Sequence, residues 1–260
     1  MTRKAMVVLS GGQDSTTCLF WAKRQFDEVH AVTFDYNQRH WRELEAAKKV
    51  AELAGVASHE IVRLGPILNG RSPLTNADES LETYKSYDEM DGIIGNRVEL
   101  TFVPMRNALF LTLAANRAVC RDVFDIVTGV CEADNANYPD CRRDFIYAQQ
   151  HALSEAMGKF VQIHTPLILK SKAESISLAQ ELPGCMEALA YSHTAYSGEY
   201  PPLTQDHATV LRAEGFRQAG VPDPLIERAW REGLISLPDS ENYDALRSGK
   251  AMEPEFGVPV

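Results

Sequence analysis

A short loop near the start of the chain combines the residue types that bind phosphate. The heptad Ser10-Gly11-Gly12-Gln13-Asp14-Ser15-Thr16 follows the apolar run Ala5–Leu9 directly. Its glycines let backbone N–H groups close around an anion, and the positive end of a following helix attracts negative charge. No Lys follows the second glycine and no G-x-G-x-x-G pattern occurs, so neither a Walker A loop nor a dinucleotide fingerprint is predicted. We favour a phosphate-binding loop; a strand-to-helix turn capped by Ser15 is the alternative.

The heptad resembles the S-G-G-x-D-S-[TS] loop of the N-type ATP pyrophosphatases, which cleave ATP between the α and β phosphates. The resemblance implies that pyrophosphate is surrounded by Ser10, Gly11, Gly12, Asp14, Ser15 and Thr16. It also implies that Asp14 helps to hold Mg²⁺, whose charge offsets that of the phosphates and of the leaving pyrophosphate.

In several further short segments of the sequence, here called strings, polar residues follow apolar runs. They are Val32–His40, Thr101–Asn107, Thr128–Glu132 with Tyr138–Arg142, and Thr165–Leu167 with Ser171–Glu174. In a parallel sheet, such strings lie at or just past the carboxyl ends of strands, which is the edge where these sheets bind ligands. We therefore expect them to converge with the phosphate loop on one crevice.

Together these strings resemble the 7-cyano-7-deazaguanine synthase family of the queuosine pathway, over about residues 3 to 185. The resemblance implies an ATP-dependent ligase that adenylates 7-carboxy-7-deazaguanine and passes the acyl group to ammonia. The amide and then the nitrile would form, with release of AMP and pyrophosphate. ATP and Mg²⁺ are the implied cofactors, and a homodimer is the implied assembly.

The same resemblance assigns roles to individual positions. Asp14, Lys172 and Arg106 are the implied catalytic residues, because cations facing the α-phosphate stabilise the charge that develops as a carboxylate attacks it. For Lys172, a solvated lysine on a helix face is the alternative. The implied nucleotide-binding residues are Leu9, Ser10, Gly11, Gly12, Gln13, Asp14, Ser15, Thr16, Phe34, Arg39, His40, Arg106, Asn107 and Gly129.

A second set of positions resembles the pocket for the deazaguanine ring. A carboxylate such as Glu132 or Asp140 can accept hydrogen bonds from guanine-like N–H groups, and Tyr138 can supply an aromatic face. Cys131 and Cys141 are either catalytic thiols or small packing residues. The implied substrate-binding residues are Tyr36, Gly129, Cys131, Glu132, Tyr138, Asp140 and Arg142.

The resemblance breaks where the family usually carries four zinc-binding cysteines. The corresponding positions here hold Ala195, Leu203, Asp206 and Thr209. Because alanine and leucine offer no metal donor, we expect no zinc site of the family's type. A replacement metal site built from His193, Asp206 and His207 stays open.

This departure leaves alternative functions open. A diverged member could stop at the amide, or join the deazaguanine acyl group to another amine such as a protein or peptide N-terminus. A non-catalytic sensor of nucleotide or deazaguanine is a further alternative. The intact heptad and Lys172 argue against the sensor, which has no need to preserve groups for pyrophosphate departure.

The hydrophobic pattern predicts the elements that position these residues. Apolar runs bounded by turn residues alternate with helical periodicity, which predicts an α/β fold with a doubly wound parallel sheet; the resemblance implies its Rossmann-like, adenine nucleotide alpha hydrolase-like type. The predicted strands are 5–9, 28–34, 59–64, 124–130 and 161–164, and the predicted helices are 15–26, 40–53, 105–119, 142–157 and 171–180. We assign 1–185 to a catalytic domain with a loop insert at 65–99, and 186–260 to a small C-terminal helical or irregular extension.

Composition narrows the partners and the location. The chain has 26 basic and 36 acidic residues, a net charge of −10, so a broad nucleic-acid-binding surface is not expected. A small anionic substrate stays compatible, because a few positive groups dominate a local site. The five cysteines form no C-x-x-C pair and no run of 18 apolar residues occurs, so we expect a cytoplasmic protein without a disulfide scaffold or a membrane segment.

Overall fold

One parallel sheet carries the fold. The computed structural model describes residues 2–39, 41–68, 70–76, 78–132 and 136–249. In this part of the chain the strands are β1 (Lys4–Val8), β2 (Glu28–Asp35), β3 (Ser58–Arg63), β4 (Asp125–Val127) and β5 (Gln162–His164). They pair in parallel in the order β3-β2-β1-β4-β5. The chain fills one side of β1 with β2 and β3 and the other with β4 and β5, which confirms the doubly wound α/β fold.

Helices connect these strands and continue after the last of them. Within the described residues the α-helices are α1 (Gln13–Gln25), α2 (Arg42–Ala54), α3 (Tyr87–Ile94), α4 (Arg106–Val119), α5 (Arg143–Met157), α6 (Lys172–Gln180), α7 (Cys185–Leu189), α8 (His207–Ala219), α9 (Pro224–Arg231) and α10 (Asp244–Arg247). Short 3₁₀ helices span Pro139–Cys141 and Glu241–Tyr243. The helices predicted from periodicity are all present, with ends shifted by at most two residues. The predicted strand at 124–130 is shorter than expected, because the chain leaves the sheet after Val127.

Alternating residues of the central strand belong to separate cores on the two faces of the sheet. Ala5 and Val7 of β1 lie in a cluster with residues of α1, α2, α6 and α7, whereas Met6 lies in a cluster with residues of α4 and α5. Successive side chains of a strand point to opposite faces, so a continuous apolar run is typical of a strand that is buried on both. Both cores hold β1 in place, and β1 leads directly into the heptad.

The segment 65–99, predicted as a loop, contains one helix that the pattern did not predict. Ser86 caps α3 by accepting a hydrogen bond from the backbone of its first turn. Met90 and Ile94 of α3 are buried in a cluster with Val210 of α8. A helix this short is stabilised mainly by its packing, so its sequence alone shows little periodicity.

The residues after α6 pack against α1 and α6 through α7 and α8. The Arg212 side chain of α8 is 3% exposed, and its guanidinium donates to both carboxylate oxygens of Asp223 at 2.6 and 2.8 Å. It also donates to Ser192 and Thr194, so one buried side chain joins α8 to α9 and to the loop after α7. The division of the chain at residue 185 stays a prediction. Within the described ranges, every helix is too short or too polar to span a bilayer.

Candidate active site

The heptad forms a tight loop between β1 and α1. The Ser10 and Ser15 hydroxyls lie 2.9 Å apart, and the Gly12 N–H donates to the Ser10 hydroxyl at 3.2 Å. Gly12 begins α1 without a side-chain cap. A helix N-terminus without a capping side chain has backbone donors available to an anion, as a phosphate-binding loop requires.

Two residues of the heptad shape the loop and do not line the cavity beside it. Gly11 has a φ of +87°, and a Cβ there would lie 2.5 Å from the Glu43 carbonyl and 2.6 Å from the Ala47 nitrogen. The glycine therefore permits close contact between the loop and α2. Thr16 is fully buried, and its hydroxyl donates to the Gly12 carbonyl at 2.8 Å. The contact with pyrophosphate that the resemblance implies for Gly11 and Thr16 stays a prediction.

Lys172 and Asp14 meet across the mouth of the loop. The Lys172 ammonium lies 2.9 and 3.1 Å from the two Asp14 carboxylate oxygens, and the side chains are 10% and 25% exposed. Lys172 is the first residue of α6, which begins with a capping box formed by Ser171 and Glu174. The alternative of a solvated lysine on a helix face is therefore wrong.

Two glycines make room for this arrangement. A Cβ at Gly129 would lie 2.9 Å from backbone atoms of Asp14 and Ser15, so the chain after β4 touches the start of α1. A Cβ at Gly215 of α8 would lie 2.5 Å from the Lys172 Cγ. Neither position tolerates a side chain without a shift of the groups that form the site.

Arg106, the first residue of α4, supplies a second cation. Burial alone would lower its pKa, but the phenols of Tyr36, Tyr138 and Tyr196 outweigh burial and raise the pKa above its ordinary value. Burial in turn raises the pKa of all three tyrosines. The guanidinium therefore stays charged and the phenols stay neutral at physiological pH.

Tyr138 is held by a buried carboxylate. Its hydroxyl donates to Glu99 at 3.0 Å, and Glu99 is 2% exposed and also accepts from the Thr101 backbone N–H at 2.7 Å. The Tyr138 ring stacks on Phe102, with centroids 5.6 Å apart and an interplanar angle of 28°. A ring fixed on one face and at its hydroxyl can present a stable surface to a planar ligand.

Glu43 of α2 also lines the cavity, and sequence reasoning missed it. Burial raises the pKa of this carboxyl group to about 7, while the positive charge of Arg106 acts in the opposite direction. In the sequence it belongs to an ordinary amphipathic helix whose polar face looks solvated. Only the approach of α2 to the loop brings Glu43 to the site.

Together these elements enclose a cavity of about 290 Å³. The predicted residues that line it are Leu9, Ser10, Gly12, Gln13, Asp14, Ser15, Phe34, Tyr36, Arg39, Arg106, Asn107, Gly129, Cys131, Tyr138 and Lys172. His40 lies outside the described residues. The strings that follow β1, β2, β4 and β5 thus meet at one crevice, as expected for the carboxyl edge of a parallel sheet.

Three predicted substrate residues lie outside the cavity. The Glu132 carboxylate pairs with Arg143 at 3.2 Å on the surface, and Arg142 is exposed. Asp140 is 7% exposed and accepts from the Asn107 backbone N–H at 3.1 Å. Direct recognition of the base by these three side chains stays a prediction; in this structure Asp140 fixes the start of α4.

Both candidate thiols make polar contacts inside the protein. The Cys131 thiol donates to the Lys170 carbonyl at 3.1 Å, and the Cys141 sulfur accepts from the Asn107 amide at 3.4 Å. Cys131 lines the cavity as predicted, and so does Cys141. These contacts favour packing as the role of both cysteines.

Residues of the C-terminal extension form a whole wall of the cavity, which sequence reasoning missed. They are His193, Thr194, Tyr196, His207, Ala208, Leu211 and Arg212. The His193 N–H donates to the Gly11 carbonyl at 2.8 Å, so this segment docks directly on the phosphate loop. The aromatic and histidine residues near the prolines were the available sign, but no periodicity linked them to the loop.

The donor chemistry fits magnesium at the loop and does not fit zinc in the extension. Magnesium is usually held by one or two carboxylates and completes its shell with phosphate oxygens and water, so Asp14 suits it. For zinc, the described residues contain no group of three His, Cys, Asp or Glu side chains in ligating positions. Nε2 of His193 bonds the Ala195 carbonyl at 2.8 Å, and Asp206 accepts backbone hydrogen bonds, so neither is arranged as a ligand.

A search of solved structures returns distant likenesses. The 4-thiouridine synthetase in complex with RNA and bound ATP aligns at a TM-score of 0.46 and 16% identity, covering 89% of this chain and 53% of that one. The fold class follows from the parallel sheet itself.

Comparison with known protein sequences gives much closer matches than comparison with solved structures. The family model described as queuosine biosynthesis protein QueC matches residues 4–220. The 7-cyano-7-deazaguanine synthase of Gloeobacter violaceus is 53% identical over 240 residues, which cover 90% of this chain and 100% of that protein. The synthase of Chromobacterium violaceum is 48% identical over 231 residues, which cover 88% of this chain and 95% of that protein. The chain therefore belongs to the queuosine biosynthesis protein QueC family.

Proposed function

We propose that the protein is an ATP-dependent ligase that converts 7-carboxy-7-deazaguanine into 7-cyano-7-deazaguanine through the amide, with ammonia as nitrogen donor. Its relatives at 53% and 48% identity are named for this synthase. The observation that carries the proposal is the convergence of Asp14, Lys172 and Arg106 on the cavity beside the phosphate loop. Mg²⁺ as cofactor and a homodimer as assembly are further parts of the proposal.

The first step needs positive charge at the α-phosphate of ATP. A carboxylate oxygen of the substrate attacks the α-phosphorus, the bond to the α–β bridging oxygen breaks, and pyrophosphate leaves with the electron pair. Lys172 and Arg106 are the cations positioned to stabilise the charge that develops. When Mg²⁺ is bound through Asp14, it neutralises part of the charge on the leaving pyrophosphate.

The later steps reuse the same groups. Ammonia attacks the acyl carbon of the adenylate, AMP leaves, and the nitrogen loses a proton to give the amide. A second ATP then adenylates the amide oxygen, and loss of AMP and the remaining N–H protons forms the nitrile. Because both activations put negative charge at an α-phosphate, one pair of cations serves both.

The deazaguanine ring is assigned to the wall beside Tyr138. The Tyr138 ring is neutral, half-buried and stacked on Phe102, so its other face is suited to a planar heterocycle. Arg106 lines the same cavity as Tyr138. We propose that a base stacked on Tyr138 directs its carboxylate toward this guanidinium.

The test is mass spectrometry of products from protein supplied with the acid, ammonium, Mg²⁺ and ATP. Nitrile with AMP and pyrophosphate is the expected result. ATP with a methylene group between the α and β phosphates should block turnover, whereas the β,γ-imido analogue should support it, because only the α–β bond breaks. Amide alone, a conjugate to an added amine, or release of ADP would contradict the proposal.

A further inference from the structure

One buried carboxylate in the C-terminal extension bridges two segments that the sequence separates. Asp206 is 1% exposed and is the N-cap of α8. One carboxylate oxygen accepts from the Thr209 N–H at 2.9 Å, which satisfies the first turn of the helix. The other accepts from the Tyr196 N–H at 2.7 Å, ten residues earlier in the chain.

Thr209 extends this bridge. Its hydroxyl lies 3.0 Å from the Asp206 carboxylate and 2.6 Å from the Thr204 carbonyl. The loop between Tyr196 and Thr204 is thus fastened at both ends to the first turn of α8. Buried hydrogen bonds to a carboxylate are stronger than those between neutral groups, so this contact can fix a loop that has no secondary structure.

The fastened residue faces the site. Tyr196 lines the cavity together with Arg106, Tyr36 and Tyr138. Tyr196 also makes a side-chain hydrogen bond to Thr101, which contacts the carboxylate that holds Tyr138. A shift of the Tyr196 backbone would therefore disturb the group of phenols around Arg106.

The bridge stands where the resemblance placed metal ligands. Asp206 and Thr209 occupy two of the four positions at which the family usually carries cysteine, and Tyr196 follows a third, Ala195. Ala195 is fully buried and has no donor, and the fourth position, Leu203, is 67% exposed. These residues do not fit zinc, and hydrogen bonds already connect the segments that a tetrahedral ion would connect.

We propose that Asp206 is a positioning residue that fastens the Tyr196 loop to α8, and so sets the substrate side of the cavity without a metal ion. It does not line the cavity itself. Its effect on substrate reaches the site through Tyr196, and that part of the inference rests on the proposed function.

Hydrogen exchange tests the bridge independently of activity. The substitution Asp206→Ser keeps a good N-cap for Thr209 but is too short to reach Tyr196 as well. In protein labelled with ¹⁵N at Tyr and Thr, we expect the Tyr196 amide of D206S to exchange roughly tenfold faster while the Thr209 amide is unchanged. Equal acceleration at both amides, or at neither, would overturn the proposal. Faster Tyr196 exchange in the unaltered protein after treatment with a zinc chelator would also overturn it.

A kinetic measurement then tests the consequence for substrate. In D206S we expect the KM for the carboxylic acid to rise while the KM for ATP stays the same, because the phosphate loop is untouched. Ser86→Ala is the matched control, since it removes the N-cap of α3 away from the cavity and should change neither KM. An unchanged KM for the acid, or equal rises for acid and ATP, would contradict the positioning role. Absence of turnover in the unaltered protein would instead count against the proposed function and leave the exchange result standing.

Discussion

Two ion pairs in the described part of the chain differ in their surroundings. Arg212 and Asp223 are 3% and 4% exposed and joined by two hydrogen bonds, and the guanidinium is further bonded to Ser192 and Thr194. Lys172 and Asp14 are 10% and 25% exposed and border a cavity of about 290 Å³. Arg212 also lines this cavity, but several protein hydrogen bonds hold its guanidinium in place, whereas the Lys172–Asp14 pair is more exposed.

Because of this difference, we expect the arginine pair to stabilise the fold and the lysine pair to take part in the reaction. A buried, bidentate arginine pair has partners for most of its donors, so exchange of those partners is costly. A lysine ammonium is a compact point charge that can turn from a carboxylate to a phosphate oxygen. We therefore expect loss of the first pair to lower stability and loss of the second to lower activity.

The largest effect is expected for Asp223→Ala, which leaves the Arg212 charge buried without its carboxylate. The free energy of unfolding should fall by about 3–5 kcal/mol. Arg217→Ala is the control, because its pair with Glu214 has a 58% exposed arginine, and exposed ion pairs contribute little to stability. Urea unfolding followed by circular dichroism measures both values. A similar small loss in the two variants would remove the distinction between the pairs.

Lys172→Ala removes the cation of the second pair, and we expect it to lower activity rather than stability. We expect kcat for pyrophosphate release to fall by about 100-fold or more, since a cation at the α-phosphate is lost, with little change in melting temperature. Lys48→Ala is the control, because Lys48 is 53% exposed and pairs only at the surface with Glu45. Turnover of the Lys172 variant close to that of the control would exclude a catalytic role for the ammonium.

The ionisation of Glu43 should make the stability of the protein depend on pH. Its pKa is raised from 4.5 to about 7 in the folded protein, so the folded state binds this proton more tightly and stability is lost as pH rises through about 7. Relative to Glu43→Gln, the protein should lose about 1–3 kcal/mol between pH 5 and pH 8. Unfolding titrations of both proteins at the two pH values measure the difference. Parallel pH dependence in the two proteins would show that Glu43 ionises normally.

The smallest effect is expected at Gly215 of α8, which lies against the Lys172 side chain. Gly215→Ala would place a Cβ 2.5 Å from the Lys172 Cγ, so the lysine must shift and kcat should fall by about tenfold. Gly92→Ala in α3 is the control, because a Cβ there meets no atom within 4 Å. That control should keep its activity and gain up to about 1 kcal/mol from helix propensity. Comparison of kcat and unfolding free energy in both variants separates displacement of Lys172 from a general loss of fold.

The parts of the site near the strands could be predicted because they follow from local patterns and sheet topology. The heptad after β1 marks a strand, a turn and a helix within a few residues. Lys172 and Asp14 lie 158 positions apart, yet both follow strands of one parallel sheet, so their meeting could be expected.

The remaining parts depend on contacts that a sequence pattern does not contain. Glu43 resembles any acidic residue of an amphipathic helix until α2 approaches the loop. Tyr196 lies in a segment without regular structure, and its position depends on Asp206, ten residues away. The hydrogen bond from the Asn107 N–H to the Asp140 carboxylate likewise joins positions 33 residues apart, which no local pattern links.

The hydrogen bond from the His193 N–H to the Gly11 carbonyl, at 2.8 Å, bears on the order in which the site forms as the chain is synthesised. The ribosome makes the phosphate loop well before the wall that closes on it, which includes residues as late as Arg212. Asp223, which holds that arginine, is made later still. The complete wall of the cavity therefore forms only after α8 and Asp223 have been synthesised.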